Sequence, residues 1–293
     1  MRAPQEREAP GKRARGAAER VTHRLVVRRR LPPPFAAAAI YVSTEGGLRY
    51  LRPRLRGVDP ALLRLAAELV RPGHVVWDIG ANLGLFSFAA AAASGSAGRV
   101  LAVEPDAALV GLLRRSAVRS LRRSGAAARP CASVDVLPVA IADDLSVAAF
   151  NIAQRSRATS YLDGFGTTQA GGVRTTELVL SVTLDWLAAR FRPPDIVKID
   201  VEGAEAVVLA GAEQVLREHP VIICEVARRN SDAVAQVLSR YGYTLYDGDV
   251  PQRYRVPLTL APPNTLAVWP APASPCPGSR PDASSAAGGH DAP

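Results

Sequence analysis

"VVWDIGANLGLFS", residues 75–87, decides the fold. Apart from Asp78, its first five residues are apolar on both sides of the backbone, as in a strand covered on both faces. Gly80, Ala81, Asn82, Leu83 and Gly84 then make a tight loop, and "LGLFSFAAAAA" (83–93) reads as a helix. Glycines in such a turn let the chain reverse sharply and let a ligand approach the backbone. Strand, loop and helix in this order form the repeating unit of parallel sheets with helices on both faces.

The pattern repeats in both directions from this stretch. Upstream, "DPALLRLAAELV" (59–70) opens on Asp-Pro and sets Leu62, Leu63, Ala66, Leu69 and Val70 on one helical face. Downstream come the strand "RVLAVEP" (99–105), the helix "DAALVGLLRRSAVRSL" (106–121) and a proline-interrupted strand, "VDVLPVAIA" (134–142). Next are the strand "DIVKIDV" (195–201), the helix "AEAVVLAGAEQVLREH" (204–219) and the strand "PVIICEV" (220–226). "SDAVAQVLSRYG" (231–242) is a helix stopped by Gly242, and "YTLYD" (243–247) and "NTLAVWP" (264–270) are closing strands. Residues 150–183, rich in Ser, Thr and Gly, break the alternation and read as an insertion of loops and short strands. The expected architecture is a doubly wound α/β fold over residues 35–270. Residues 1–34 read as a disordered basic arm, and 271–293 as a disordered Pro/Ser/Ala/Gly tail.

The chain has 293 residues and a net charge of +9, which by itself suggests a nucleic-acid partner. Residues 1–30, however, hold ten Lys/Arg against three Glu, leaving only +2 for the other 263 residues. The basicity belongs to the arm. Three cysteines (Cys131, Cys224, Cys276) show no zinc spacing and point to a reduced, cytoplasmic setting. "RRRLPPPFAAAAIYVS" loosely resembles a twin-arginine export signal, but its prolines and short apolar segment argue against one. No apolar run is long enough to span a membrane.

In doubly wound folds the ligand sits at the carboxyl ends of the strands. Glu104 ends the second strand, twenty residues past Gly84, where a carboxylate can hold both hydroxyls of a ribose. The dinucleotide fingerprint fails, because Asn82 and Leu85 stand where its second and third glycines belong. No Tyr-x-x-x-Lys pair serves hydride transfer. A nucleoside without a pyrophosphate, such as S-adenosylmethionine, suits the loop better.

"VVWDIGANLGLFS", "VLAVEP", "VAIADD", "VTLDWL" and "DIVKIDVEGAEAVVLAGAEQVL…PVIICEV" resemble, in order and spacing, the FkbM family of S-adenosylmethionine-dependent methyltransferases. The likeness runs over about residues 40–270, and "KIDVEGAE" is its most particular part. It implies a class I methyltransferase (Rossmann-like) fold: a seven-stranded, mostly parallel sheet with its last strand antiparallel. It further implies that Asp78, Gly80, Asn82 and Gly84 shape the cofactor loop and that Glu104 holds the ribose. Asp143 would face the adenine amino group, a role its neighbour Asp144 could also fill.

"IVKIDVEGAE" (196–205) contains Lys198, one of only two lysines among 36 basic residues, beside Asp200, Glu202 and Glu205. Alternation puts Lys198 and Asp200 on one face of the sheet. Glu205 reads either as a first-turn helix carboxylate or as part of the site. Lys198 either neutralises Asp200 or Glu225 within the sheet, or holds a substrate hydroxyl and tunes a carboxylate. Methylation of oxygen calls for removal of the hydroxyl proton. His23 and His290 lie in the tails, and His74 and His219 precede strands at the opposite rim. The base is therefore expected among Asp200, Glu202 and Glu225. No metal is assigned, although a divalent ion bridging Asp200 and Glu225 is the alternative.

The family typically methylates hydroxyls of sugars, polyketides and similar metabolites, so a small hydroxylated acceptor is expected. Arg155, Arg157, Ser160 and Tyr161, in the insertion, are candidates to bind it. "IYVSTEGGLRYL" (40–51) reads as a hairpin covering the cofactor from the other side. Two rivals remain: a nucleic-acid methyltransferase using the basic arm, and a non-catalytic nucleotide-binding module. A base-methylating Asn/Asp-Pro-Pro-Tyr/Phe motif after the fourth strand is lacking. The oligomeric state is not legible.

Overall fold

The computed structural model describes residues 25–52, 55–121, 130–154, 156–166 and 171–270. The elements begin with β1 (Val27–Arg30), β2 (Ala39–Val42), α1 (Pro60–Leu69), β3 (Val75–Ile79), α2 (Leu85–Ser94), β4 (Arg99–Val103) and α3 (Ala107–Leu121). The middle of the chain gives β5 (Ser133–Leu137), β6 (Ala140–Ile141), β7 (Ser146–Ala153), β8 (Tyr161–Leu162) and β9 (Val173–Val182). Then follow α4 (Leu184–Ala188), β10 (Ile196–Ile199), α5 (Glu205–Ala210), α6 (Glu213–Arg217) and β11 (Val221–Glu225). α7 (Ser231–Arg240), β12 (Thr244–Asp247) and β13 (Asn264–Val268) end the fold.

Seven strands form the main sheet in the order β12-β13-β11-β10-β3-β4-β5. β3, β4, β5, β10 and β11 run parallel, while β13 is antiparallel to both neighbours. The strand order reverses between β3 and β10, the switch point where doubly wound sheets bind ligands. This is the class I methyltransferase topology. Apolar residues alternate between the faces: Val76, Val100, Ile196 and Ile223 pack under α1–α3, and Trp77, Leu101, Val197 and Ile222 under α4–α7. Both faces are thus buried, which explains the near-continuous apolar runs of the central strands.

Five expectations need correction. Val27–Arg30, within the stretch expected to be a disordered arm, pairs as β1 with β2. β2 in turn rests on α3, where Tyr41 N donates to Ser116 Oγ at 2.8 Å. Residues 1–24 and 271–293 lie outside the described residues. The segment 40–51 is not a hairpin, because after β2 it turns through two 3-10 helices, Thr44–Gly46 and Leu48–Leu51. The strand expected over 134–142 is two strands in different sheets. Pro138, lacking an N–H, cannot continue the ladder, and β6 leaves to join β9.

The expected helix 204–219 is likewise broken at Gly211 into α5 and α6. A Cβ there would stand 2.6 Å from the carbonyl oxygen of Ala142, so the backbone of the helix packs directly on the β6 segment. The insertion is more regular than expected. β7 and β9, of eight and ten residues, form a long antiparallel hairpin in a four-stranded second sheet, β6-β9-β7-β8. Phe150 and Ile152 face inward, while Val147, Leu178 and Leu180 stay exposed on the other face.

Candidate active site

The carboxyl ends of β3, β4 and β10 converge on one cavity, at the place in a doubly wound sheet where ligands bind. The sheet supplies Ile79, Gly80, Asn82, Glu104, Asp200 and Glu202, and the second sheet supplies Phe150, Arg157, Ser160 and Leu162 from above. Gly80 is required on two counts. Its φ is +73°, and a Cβ would fall 1.8 Å from the carbonyl oxygen of Asp200. Asn82 also has positive φ (51°), a conformation Asn tolerates better than most residues, and its N–H donates to Glu104 Oε2 at 2.8 Å. Glu104 Oε1 accepts from Asp106 N at 2.9 Å. The loop after β3 is therefore fastened to the end of β4 by one buried carboxylate. Gly84 caps α2 from behind the cavity wall rather than lining it.

Beneath the loop, parallel register makes Asp78 and Lys198 direct cross-strand neighbours. Lys198 Nζ lies 3.3 Å from Asp78 Oδ1, 3.2 Å from Asp200 Oδ2 and 3.0 Å from the Gly80 carbonyl. Those contacts match its three donors. Burial works against the ammonium, yet Asp200 and Asp78 beside it hold it above the usual lysine range. Burial likewise raises the Asp78 carboxyl, opposed by Lys198 and by the Ser87 hydroxyl that donates to it. Of the two readings for Lys198, the geometry matches a clamp that ties the glycine loop to β10. Of the two carboxylates expected to neutralise it, Asp200 does so directly and Glu225 acts only at longer range, while Asp78 on β3 is a further direct partner.

The rim carboxylates differ from one another. Burial, then the charges of Asp200 and Glu225, push Glu202 up to about 8. The Asp200 charge and burial bring Glu225 to about 7, and burial, partly offset by two N–H donors and reinforced by the Asp106 charge, brings Glu104 to about 7. Glu202 is held at φ +53°, a strained conformation for a non-glycine residue and one that gathers at functional sites. Glu205 belongs to the scaffold. At 1% exposure it accepts from Gly203 N (2.6 Å), Asn230 Nδ2 (2.6 Å) and Ala227 N (3.4 Å).

A second, smaller cavity opens beyond β10, lined by Asp59, Leu62, Lys198, Asp200, Glu225 and Asn264. Asp200 lines both cavities, whereas Glu202 lines only the first and Glu225 only the second. Asp143 is exposed and does not line the first cavity, and neither does Asp144; Val139, Ala140 and Ile141 form that wall. Among the described residues no cluster of three metal-ligating side chains occurs.

Of the residues expected to hold an acceptor, Arg155 lies outside the described residues and Tyr161 is half-buried. Ser160 Oγ accepts from Ala153 N at 3.1 Å. Arg157 is turned to Asp106, with Nη1 at 3.0 and 2.8 Å from its two carboxylate oxygens. Asp106 escaped the sequence reading. Its place just before α3 signals a helix cap, which it is, accepting from Ala108 N at 2.9 Å, but nothing local announces a partner 51 residues away.

The groups lining the cavity suit a nucleoside such as S-adenosylmethionine. Apolar walls (Val103, Leu109, Ile141) flank Glu104, and the Oδ1 of Asn82 is buried without a hydrogen-bond partner among the described residues. The family described as "Methyltransferase FkbM domain" matches residues 78–245. Among solved structures, the chain is similar to a precorrin-6y C5,15-methyltransferase from Geobacter metallireducens GS-15 (14% identity, 71% of this chain and 85% of that one, TM-score 0.39). It is similar also to Aeropyrum pernix fibrillarin with natively bound S-adenosyl-L-methionine (14% identity, 72% and 74%, TM-score 0.38). A third is a SAM-dependent O-methyltransferase from Thermotoga maritima (13% identity, 71% and 63%, TM-score 0.36). No curated protein matches the chain.

Proposed function

The chain belongs to the FkbM methyltransferase family, and we propose that it transfers a methyl group to a hydroxyl of a small metabolite. Its cofactor is S-adenosylmethionine, which supplies a methyl group activated on a sulfonium. The larger cavity would hold that cofactor, with Glu104 accepting from the ribose hydroxyls and Asn82 Oδ1 from an amino group. The second cavity would hold the acceptor.

The observation that carries this reading is the position of Asp200. Among the residues lining the two cavities, it alone is common to both. An acceptor hydroxyl in the second cavity would meet Asp200 at the boundary. Glu202 and Glu225, brought to about 8 and about 7, have the proton affinity of a base that works near neutral pH. Asp200 would orient the hydroxyl, and one of these neighbours would take its proton. Carboxylates around both cavities disfavour a polyphosphate backbone, which needs cationic contacts.

The test is methyl release from labelled S-adenosylmethionine with a panel of sugars and polyketide alcohols, read by mass spectrometry. Methylated oxygen on a small alcohol supports the proposal. Methylation of RNA or DNA alone, steeply weakened by salt, would replace it with the nucleic-acid reading.

A further inference from the structure

Arg157 and Asp106 join two walls of the cofactor cavity that nothing in the chain's order brings together. Asp106 stands two residues past Glu104 and caps α3 through Ala108 N (2.9 Å) and Leu109 N (3.3 Å). It is fixed to the sheet side of the cavity. Arg157 lies in the 3-10 turn Arg157–Thr159 between β7 and β8, on the side contributed by the second sheet. Their side chains are 14% and 0% exposed, and one guanidinium nitrogen contacts both carboxylate oxygens.

We propose that Arg157 is a positioning residue whose ion pair with Asp106 latches the β7–β9 hairpin across the cofactor cavity and sets how long S-adenosylmethionine stays bound. The inference rests on that cavity being the cofactor's. Three observations support it. Arg157, Ala158, Ser160 and Leu162 line the same cavity as Glu104 and Pro105, so the pair closes around whatever occupies it. The turn is rigid locally, since Ser160 Oγ accepts from Ala153 N and Thr159 Oγ1 donates to Ser156 O at 3.0 Å, so pulling on Arg157 moves the whole wall. The latch also communicates with the ribose carboxylate through one bond, from Asp106 N to Glu104 Oε1.

A buried ion pair is a poor choice where stability alone is wanted, because desolvation offsets much of its attraction. It is a good choice for holding two surfaces in one register, because the charged bond is strong and directional. On the sheet side the Asp106 side chain caps the N-terminus of α3, which fixes it in place independently of the hairpin.

The test measures S-adenosylmethionine association and dissociation by stopped flow on the full chain. Three variants are compared: Arg157→Lys, Asp106→Asn, and the neutral pair Arg157→Met with Asp106→Asn. Asp106→Asn keeps the helix-capping oxygen while removing the charge. The neutral pair avoids leaving a buried charge alone. Both should raise the dissociation rate by about tenfold or more, with association changed less than about threefold. Arg157→Lys should fall between. Hydrogen exchange at residues 156–162 should slow when S-adenosylmethionine binds the unaltered protein, and should not slow in the neutral pair. Dissociation within about twofold of the unaltered protein, in a folded neutral pair, overturns the latch. Glu104→Ala separates the two failures. If it weakens binding while the latch variants do not, only the latch falls; if it too leaves binding unchanged, the assignment of the cavity falls with it.

Discussion

Glu104→Gln offers a direct measure of what burying this carboxylate costs. The Glu104 side chain is 5% exposed and its carboxyl is pushed up to about 7 from an ordinary 4.5, with desolvation only partly offset by the Asp106 and Asn82 N–H groups. A carboxyl raised in the folded state favours folding in its neutral form. Its contribution is complete below the unfolded value of 4.5 and is lost as pH climbs through about 7. The rise of roughly 2.5 pH units, at 1.36 kcal/mol each, corresponds to about 3 kcal/mol. Glutamine does not titrate. Relative to the unaltered protein, Glu104→Gln should therefore gain about 3 kcal/mol between pH 4.5 and pH 8, whatever its fixed offset. Urea unfolding of both proteins without cofactor, at four pH values across that span, reads the difference. Glu202 and Glu225 slope the same way in both proteins and cancel. A difference that is flat with pH, or that moves the other way, would refute the claim that Glu104 is held near neutrality by burial. A corollary concerns binding. In the proposed site, ribose hydroxyls would donate to the ionised carboxylate, so S-adenosylmethionine binding at pH 6 should release protons, seen as heats that depend on the buffer.

Asp200→Asn should lower turnover by about a hundredfold while the S-adenosylmethionine dissociation constant shifts by less than about threefold. An affinity loss equal to the turnover loss would place Asp200 in cofactor binding instead. Gly80→Ala forces a Cβ to within 1.8 Å of the Asp200 carbonyl oxygen and should cost at least about 2 kcal/mol in thermal unfolding, with loss of cofactor binding. Glu205→Ala strands the Gly203 N–H and removes one of the two acceptors of the Asn230 amide, and should cost about 1–3 kcal/mol in urea unfolding. If its stability is unchanged, Glu205 is not the scaffold residue its bonds indicate.

Local pattern carried the architecture, because burial on both faces of a parallel sheet writes itself into consecutive residues. The apolar runs around Trp77, Leu101, Val197 and Ile222 identified the central strands, and Glu104 and Asp200 at their ends lie on the cavity, whereas Asp78 is buried beneath the loop. Even the shared face of Lys198 and Asp200 followed from alternation alone. Breaks that depend on a neighbour were less legible. Pro138 was visible as an interruption, but that β6 departs to a second sheet depends on β9, some forty residues later. Gly211 looked tolerable within a helix until the Ala142 carbonyl lay against it.

The amino-acid order by itself determined the doubly wound fold, the glycine turn and the acidic rim, because each is a short-range consequence of strand and helix periodicity. Only the tertiary structure decided what those charges do. It joined Lys198 to Asp78, Glu205 to Asn230 and Arg157 to Asp106, and it set Asp200 between two cavities. Pairing energies and desolvation depend on distance in space, and residues 51 or 120 positions apart carry no mark of their proximity along the chain.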